Sequence, residues 1–492
     1  MTKDQVTRVH QASLDILENV GLLVRNAQAK EIFTRHGLTV DPDTEVVRFP
    51  SALVEDFRKA VPSKFTFHAR DPRFDKTLPD DRPVIVTGSS APNMIDPVTG
   101  KERRAYSDDI ARIARLVNEL PGYDVFSIST LAEDAPLDRF TVTRLYPTIM
   151  NCIKPIRCSA SSVSDAEQIL QLVYAIAGGE AAYREHPFIT HHYCPIVSPL
   201  TFDFDSTSEL IFFTERGLPS FATIVPNGGM SSPLTLMGTL VQGNAEYLAW
   251  TTLVQMIRPA TPVVYSSLPT IADMRRGSYS PGAIETGMLM MGMAQMSHFY
   301  RVPNGGYIGL TNAKLNDAQS GYETAASTFA GLLGGVDMFN MGGLLDALMC
   351  FDFAKATIDD EIALMMKRLQ RGLEFGEANL SLDVIADAGP AGMFLDKAQT
   401  YELMKQTLYL PDLADRDARN RWEKLGATDT HTKALNKVRE ILTHDYESFV
   451  SPEQDARVRA VFADLPKGNV EPPEVWKKTE MARVAGVKNL TG

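Results

Sequence analysis

The chain has 492 residues, with 44% in the hydrophobic set and 22% charged. This is ordinary globular composition, and no stretch is apolar over the roughly 18 residues that a membrane span needs. A formal net charge of −12, with no basic stripe or arm, argues against a nucleic-acid partner. The four cysteines (Cys152, Cys158, Cys194, Cys350) form no CxxC pair and read as buried thiols, not as a disulfide framework. The polar amphipathic start, MTKDQVTRVHQASLDIL, lacks the apolar core of a signal peptide, so a cytoplasmic protein is expected.

Residues 1–80 read as a helical N-terminal region, with helices at 5–20, 26–36 and 50–60 before a proline-punctuated loop. From residue 84, short runs rich in β-branched or aromatic residues alternate with helical patterns. They fall at 84–88, 125–129, 156–159, 188–193, 220–224, 263–266, 306–310 and 338–341. Each is too short for a helix and apolar on both faces, as buried parallel strands are. Ser107-Asp108-Asp109 and Ser164-Asp165 read as helix starts, while Gly178, Gly217 and Gly334-Gly335 read as helix ends. Eight strand–helix repeats is the count of a closed (β/α)8 TIM barrel of the α/β class, placed at 81–371. An open doubly wound sheet is the alternative, but no glycine-rich phosphate fingerprint follows the first strand, and no nucleotide cofactor is indicated. Residues 372–492 read as a helical C-terminal extension, with Trp422 and an amphipathic run at 433–444.

In such a barrel the site lies at the carboxyl ends of the strands. The first strand leads to Ser89, Ser90 and Asn93, and the fourth carries His191, His192, Tyr193 and Cys194. The sixth offers Tyr265 and Ser266, the seventh Tyr307 and Thr311, and the eighth Asn340, with Phe351 and Phe353 beyond. This set is aromatic and neutral-polar, which suits a quaternary ammonium ligand. Such a cation has no N–H to donate and is held by aromatic faces, worth about 0.5–2 kcal/mol each. The same rings also fit plain packing. His192, Tyr193, Tyr265, Tyr307, Asn340 and Phe351 are the expected substrate contacts. Strand alternation sends His191 and His192 to opposite sides, whereas His192 and Cys194 share parity and could meet at one zinc. No third ligand is nominated by the sequence, so no metal is expected.

The stretch 303–346 combines a strand, a polar loop with Lys314, Asp317, Gln319 and Glu323, a long apolar helix and a second strand. Asp317 fits a helix N-cap as well as a ligand role, and it joins Gln319 among the expected substrate contacts. A helix N-terminus at the mouth would favour a carboxylate on the substrate.

TNAKLNDAQSGYETA followed by GGVDMFNMGGLLD resembles the trimethylamine methyltransferase family, specifically its members that lack pyrrolysine. IDPVTGKERRAYS, GGMSSPLTLMGTL, IADMRRGSYSPGAIE and TIDDEIALMMKRL agree with it. The resemblance implies a TIM barrel and a corrinoid-dependent methyltransferase, with the corrinoid (a cobalamin) carried by a separate partner protein. Gly229, Ser231, Ser232 and Arg275 lie in segments that match the family and are expected to meet that partner. A quaternary amine leaves as a neutral tertiary amine and needs no acid, so the missing pyrrolysine favours such a substrate. Glycine betaine comes first, with proline betaine, carnitine and γ-butyrobetaine open. The alternatives are zinc-dependent methyl transfer from a thiol or alcohol, and a betaine-binding barrel without catalysis. A homo-oligomer is expected.

Overall fold

The computed structural model describes residues 1–477. Eight parallel strands form its centre: β1 (Val84–Val86), β2 (Phe126–Ser127), β3 (Ile156–Cys158), β4 (Ile189–Tyr193), β5 (Ser220–Ile224), β6 (Tyr265–Ser267), β7 (Asn304–Tyr307) and β8 (Met338–Asn340). They are hydrogen-bonded in the order β1-β8-β7-β6-β5-β4-β3-β2. A parallel bridge from Val86 to Val125 joins the two ends and closes the barrel. A helix follows each strand: α1 (Ser107–Glu119), α2 (Phe140–Asn151), α3 (Val163–Ala177), α4 (Asp205–Glu215), α5 (Leu236–Ile257), α6 (Ile284–Tyr300), α7 (Ala318–Gly334) and α8 (Phe353–Gln370). This is the TIM barrel expected from the repeat count.

Several boundaries differ from the sequence reading. The seventh strand runs over Asn304–Tyr307, not 306–310. Asn304 starts it by exchanging hydrogen bonds with Asp337, and Gly309 ends it with a φ of +76°. The cap of α3 is Ser162, two residues before Ser164, and that of α1 is Tyr106. The loop expected after 60 contains a hairpin, Phe65–Phe67 paired with Lys76–Leu78.

That hairpin plugs the amino-terminal end of the barrel. Phe65 and Phe67 meet Phe221 edge-on at 5.9 Å, in one apolar cluster with Leu78, Val84, Val86, Val125, Val264 and Met338. The lower lumen is therefore filled with carbon, and chemistry is confined to the upper end. The three N-terminal helices, Lys3–Asn19, Ala27–Arg35 and Ser51–Lys59, pack on α5. The C-terminal helix Thr430–Thr443 packs on α8 and α1, and Pro452–Val461 on α3. Among the described residues no helix is long and apolar enough to cross a membrane.

Candidate active site

Strand alternation turns every second side chain into the lumen, and register decides which. Ser127 pairs with Arg157, Thr223 with Ser266, and Tyr307 with Asn340, so the three pairs form an inward layer above the apolar plug. His192 joins them from β4. Its Nε2 lies 2.9 Å from Thr223 Oγ1, which lies 2.9 Å from Ser266 Oγ, and its Nδ1 lies 3.3 Å from Ser159 Oγ. Arg157 is 1% exposed. Its Nε donates to Ser127 Oγ at 2.9 Å, its Nη1 to Asn340 Oδ1 at 2.6 Å, and its Nη2 to the Tyr307 hydroxyl at 3.4 Å. The Tyr307 hydroxyl also lies 3.4 Å from Ser89 Oγ. Ser89, Ser159 and Cys194 keep partial exposure, so this polar layer opens toward the mouth.

Above it sits an apolar collar of Leu268, Tyr307 and Leu310, backed by Val225, Tyr279 and Leu348. Burial and the Arg157 charge together hold the His192 imidazole well below its usual range, so it is neutral. Burial pushes the Cys194 thiol up to about 11, and it stays protonated. The layer thus offers hydroxyls, an amide, one guanidinium and an aromatic face, with no ionised nucleophile.

Of the expected contacts, His192, Tyr307 and Asn340 come together here. Tyr193 and Tyr265 do not, because their parity turns them outward. The Tyr193 hydroxyl meets Ser220 Oγ at 2.9 Å and its ring stacks with Phe213 of α4. Tyr265 donates to Asn244 Oδ1 of α5 at 3.0 Å, and its ring lies 4.0 Å from that of Tyr247. His191 also faces outward, stacked on Phe213 at 3.8 Å. Phe351 packs on Phe353 at 5.4 Å and fills the space over Gly343, inside the core under α8. Asp317 and Gln319 brace the mouth from outside the layer. Asp317 Oδ1 caps α7 by accepting from the Gln319 and Ser320 amides, and Gln319 Nε2 donates to Glu323 Oε1 at 2.9 Å. Glu323 Oε2 accepts from Thr311 Oγ1 at 2.6 Å and from the Asn312 amide at 2.8 Å, which fixes the β7–α7 loop to its helix.

Both His192 ring nitrogens are engaged by hydroxyls, so a zinc shared with Cys194 would have to break that ladder. The three-donor cluster found among the described residues, His68–Asp75–His186, lies beside the bottom hairpin, at the opposite end of the barrel. Gly229, Ser231 and Ser232 form a turn on the upper face. Ser231 Oγ accepts from the Asn227 amide at 3.0 Å, and Ser232 Oγ lies 3.0 Å from Thr239 Oγ1. Gly229 has a φ of +91°, and a Cβ there would stand 2.7 Å from Met274 Sδ. Arg275 is exposed and paired with Asp273 at 3.1 Å.

The residue that sequence reasoning missed is Arg157. Its signal was present: a charged residue inside the run Ile156–Cys158, where full burial of arginine is rare without a partner.

A family model described as trimethylamine methyltransferase (MTTB) matches residues 1–465. The chain belongs to the trimethylamine methyltransferase family. It is 32% identical to a glycine betaine methyltransferase of Desulfitobacterium hafniense (strain Y51), over 95% of this chain and 97% of that protein. It is 30% identical to the trimethylamine methyltransferase MttB of D. hafniense (strain DSM 10664 / DCB-2), over 92% and 91% of the two chains. MttB of Methanosarcina thermophila is 29% identical, over 90% of this chain and 92% of its own. As a member of the trimethylamine methyltransferase family, this chain is a methyltransferase enzyme, and the match takes in the whole barrel together with the N-terminal helices.

Proposed function

We propose that this enzyme moves a methyl group from a quaternary amine, with glycine betaine first, to the Co(I) of a cognate corrinoid protein. The observation that carries the reading is a lumen layer whose imidazole is neutral, whose thiol is protonated and which holds no carboxylic acid among its hydrogen-bonded members. A tertiary amine would need an acid to leave. A quaternary amine needs none, because the pair of the breaking C–N bond settles on nitrogen and neutralises it. The barrel then has to orient the reacting methyl and exclude water. A corrinoid docked over the mouth would supply the cobalt nucleophile, which fits a layer with no nucleophile of its own. The upper face suits such a partner: Met230, Leu234 and Met274 are exposed around Gly229, with Arg275 beside them. Exposed Leu373, Phe375, Leu382 and Ile385 in the C-terminal extension support a homo-oligomer.

The purified enzyme is expected to transfer a methyl group from glycine betaine to cob(I)alamin, followed by the change in its absorption spectrum. Turnover with a thiol or an alcohol, and none with any quaternary amine, would sink the reading. Tight betaine binding with no transfer to an authentic corrinoid partner would instead leave a binding protein.

A further inference from the structure

We infer that Arg157, flanked by Asn340, is the anchor for a carboxylate on the substrate, and so the residue that separates betaines from amines lacking an acid group. This rests on the proposed methyl-transfer reading for the identity of the other end of the ligand, and on the geometry of the layer for the anchor itself. A guanidinium presents five N–H groups in a planar fork matched to carboxylate. Three acceptors meet it here, and all are neutral side chains: Ser127, Asn340 and Tyr307. Among the described residues no Asp or Glu forms an ion pair with it. Lys355, equally buried, is paired with Asp359, while Arg144, also buried, donates to the backbone carbonyl of Thr130. Asn340 adds a second unmet need in the same place, since its Nδ2 is fully buried and has no partner. A buried cation with neutral neighbours is costly, and a buried amide donor without an acceptor is too. One carboxylate above the fork would satisfy both.

The vertical order then sets the orientation of the substrate. Arg157 lies level with the hydroxyl layer, the collar of Leu268, Tyr307 and Leu310 lies above it, and the mouth lies above the collar. A betaine bound with its carboxylate on Arg157 puts its ammonium into the collar, against the Tyr307 ring. Its methyl groups then face the mouth, where an external nucleophile arrives. The reverse orientation would set two cations together in the floor and leave the carboxylate among apolar groups. Choline, tetramethylammonium and trimethylamine cannot make the floor contact.

The test measures calorimetric binding of glycine betaine and of choline to the full-length wild type and to R157M, R157K and N340D, each checked for folding by thermal melting. Wild type is expected to bind glycine betaine and not choline. R157M loses glycine betaine affinity about 10- to 100-fold, and R157K recovers part of it, because the charge returns without the fork. N340D places a carboxylate on the guanidinium from within. It is expected to melt higher than wild type while losing glycine betaine, a combination that a purely structural role for Arg157 does not produce. Unchanged glycine betaine affinity in a folded R157M or N340D, or choline binding equal to glycine betaine in wild type, overturns the anchor. No glycine betaine binding by wild type overturns it as well, even if another quaternary amine is demethylated. Arg157-dependent binding without methyl transfer leaves the anchor standing and removes the proposed reaction.

Discussion

His192 and Cys194 sit in a polar layer yet carry no charge at neutral pH, for two different reasons. Burial and Arg157 both disfavour the imidazolium, whereas burial disfavours the thiolate more than Arg157 favours it. The imidazole therefore stays neutral from below its ordinary 6.5 upward, and the thiol keeps its proton up to about 11. Methyl transfer from glycine betaine to free cob(I)alamin should accordingly be flat in pH between those two values. An inflection near 6.5 in the transfer rate would show that His192 titrates and takes part. The Tyr193 and Tyr265 positions show the limit of reading aromatic residues one at a time. Tyr193 ends β4, whereas Tyr265 stands at the start of β6 and not at its carboxyl end, and a shift of one residue in parity exchanges the lumen for the helix layer.

At the level of single elements, α7 braces the mouth. Its cap Asp317, Gln319 in its first turn and Glu323 in its second hold the β7–α7 loop, and loop geometry accounts for their polar character. Glu323→Ala removes the acceptor for Thr311 Oγ1 and the Asn312 amide. A loss of about 1–3 kcal/mol in unfolding free energy is expected, with a raised KM for glycine betaine as the mouth loosens. Denaturant titration and steady-state kinetics check the two effects. A second element-level consequence lies between α3 and α4, where Glu209 is buried near Asp165. Burial, then the repulsion of Asp165, Asp205 and Asp203, pushes its carboxyl up to about 8. The folded state therefore holds this proton more tightly than the unfolded chain. The stabilisation is present below the ordinary 4.5 and is lost as pH rises through about 8. Glu209→Gln is expected to gain on wild type at alkaline pH, on the order of 1–3 kcal/mol, and to match it in mild acid. Melting temperatures at the two pH values decide it.

Over the whole molecule, the plugged bottom and the open top leave one approach to the lumen. The bottom hairpin fills the lower barrel with Phe65, Phe67 and Phe221, so a partner that delivers a nucleophile has to come from the upper face. Met230 is 64% exposed on the β5–α5 loop of that face. Met230→Glu places a charge in the apolar patch. It is expected to lower transfer to a protein-bound corrinoid about tenfold more than transfer to free cob(I)alamin, as a central interface residue would. Equal effects on both acceptors would move the docking surface elsewhere.

The amino-acid order alone determined the barrel and the family. Eight short apolar runs separated by helical segments leave few other ways to bury their surface, and 303–346 carries long motifs around its polar loop. The site was only partly legible, for a physical reason. Whether Tyr265 or Ser266 faces the lumen depends on the register of each strand against its neighbours, and that is settled across the sheet, not within six residues. The polar side chains of the 303–346 loop tie it to its helix, while Arg157, Tyr307 and Asn340 meet in the lumen from three separate strands. Closure of the barrel decided the rest: it set a buried arginine among neutral partners, and that pattern exists only once the strands are side by side.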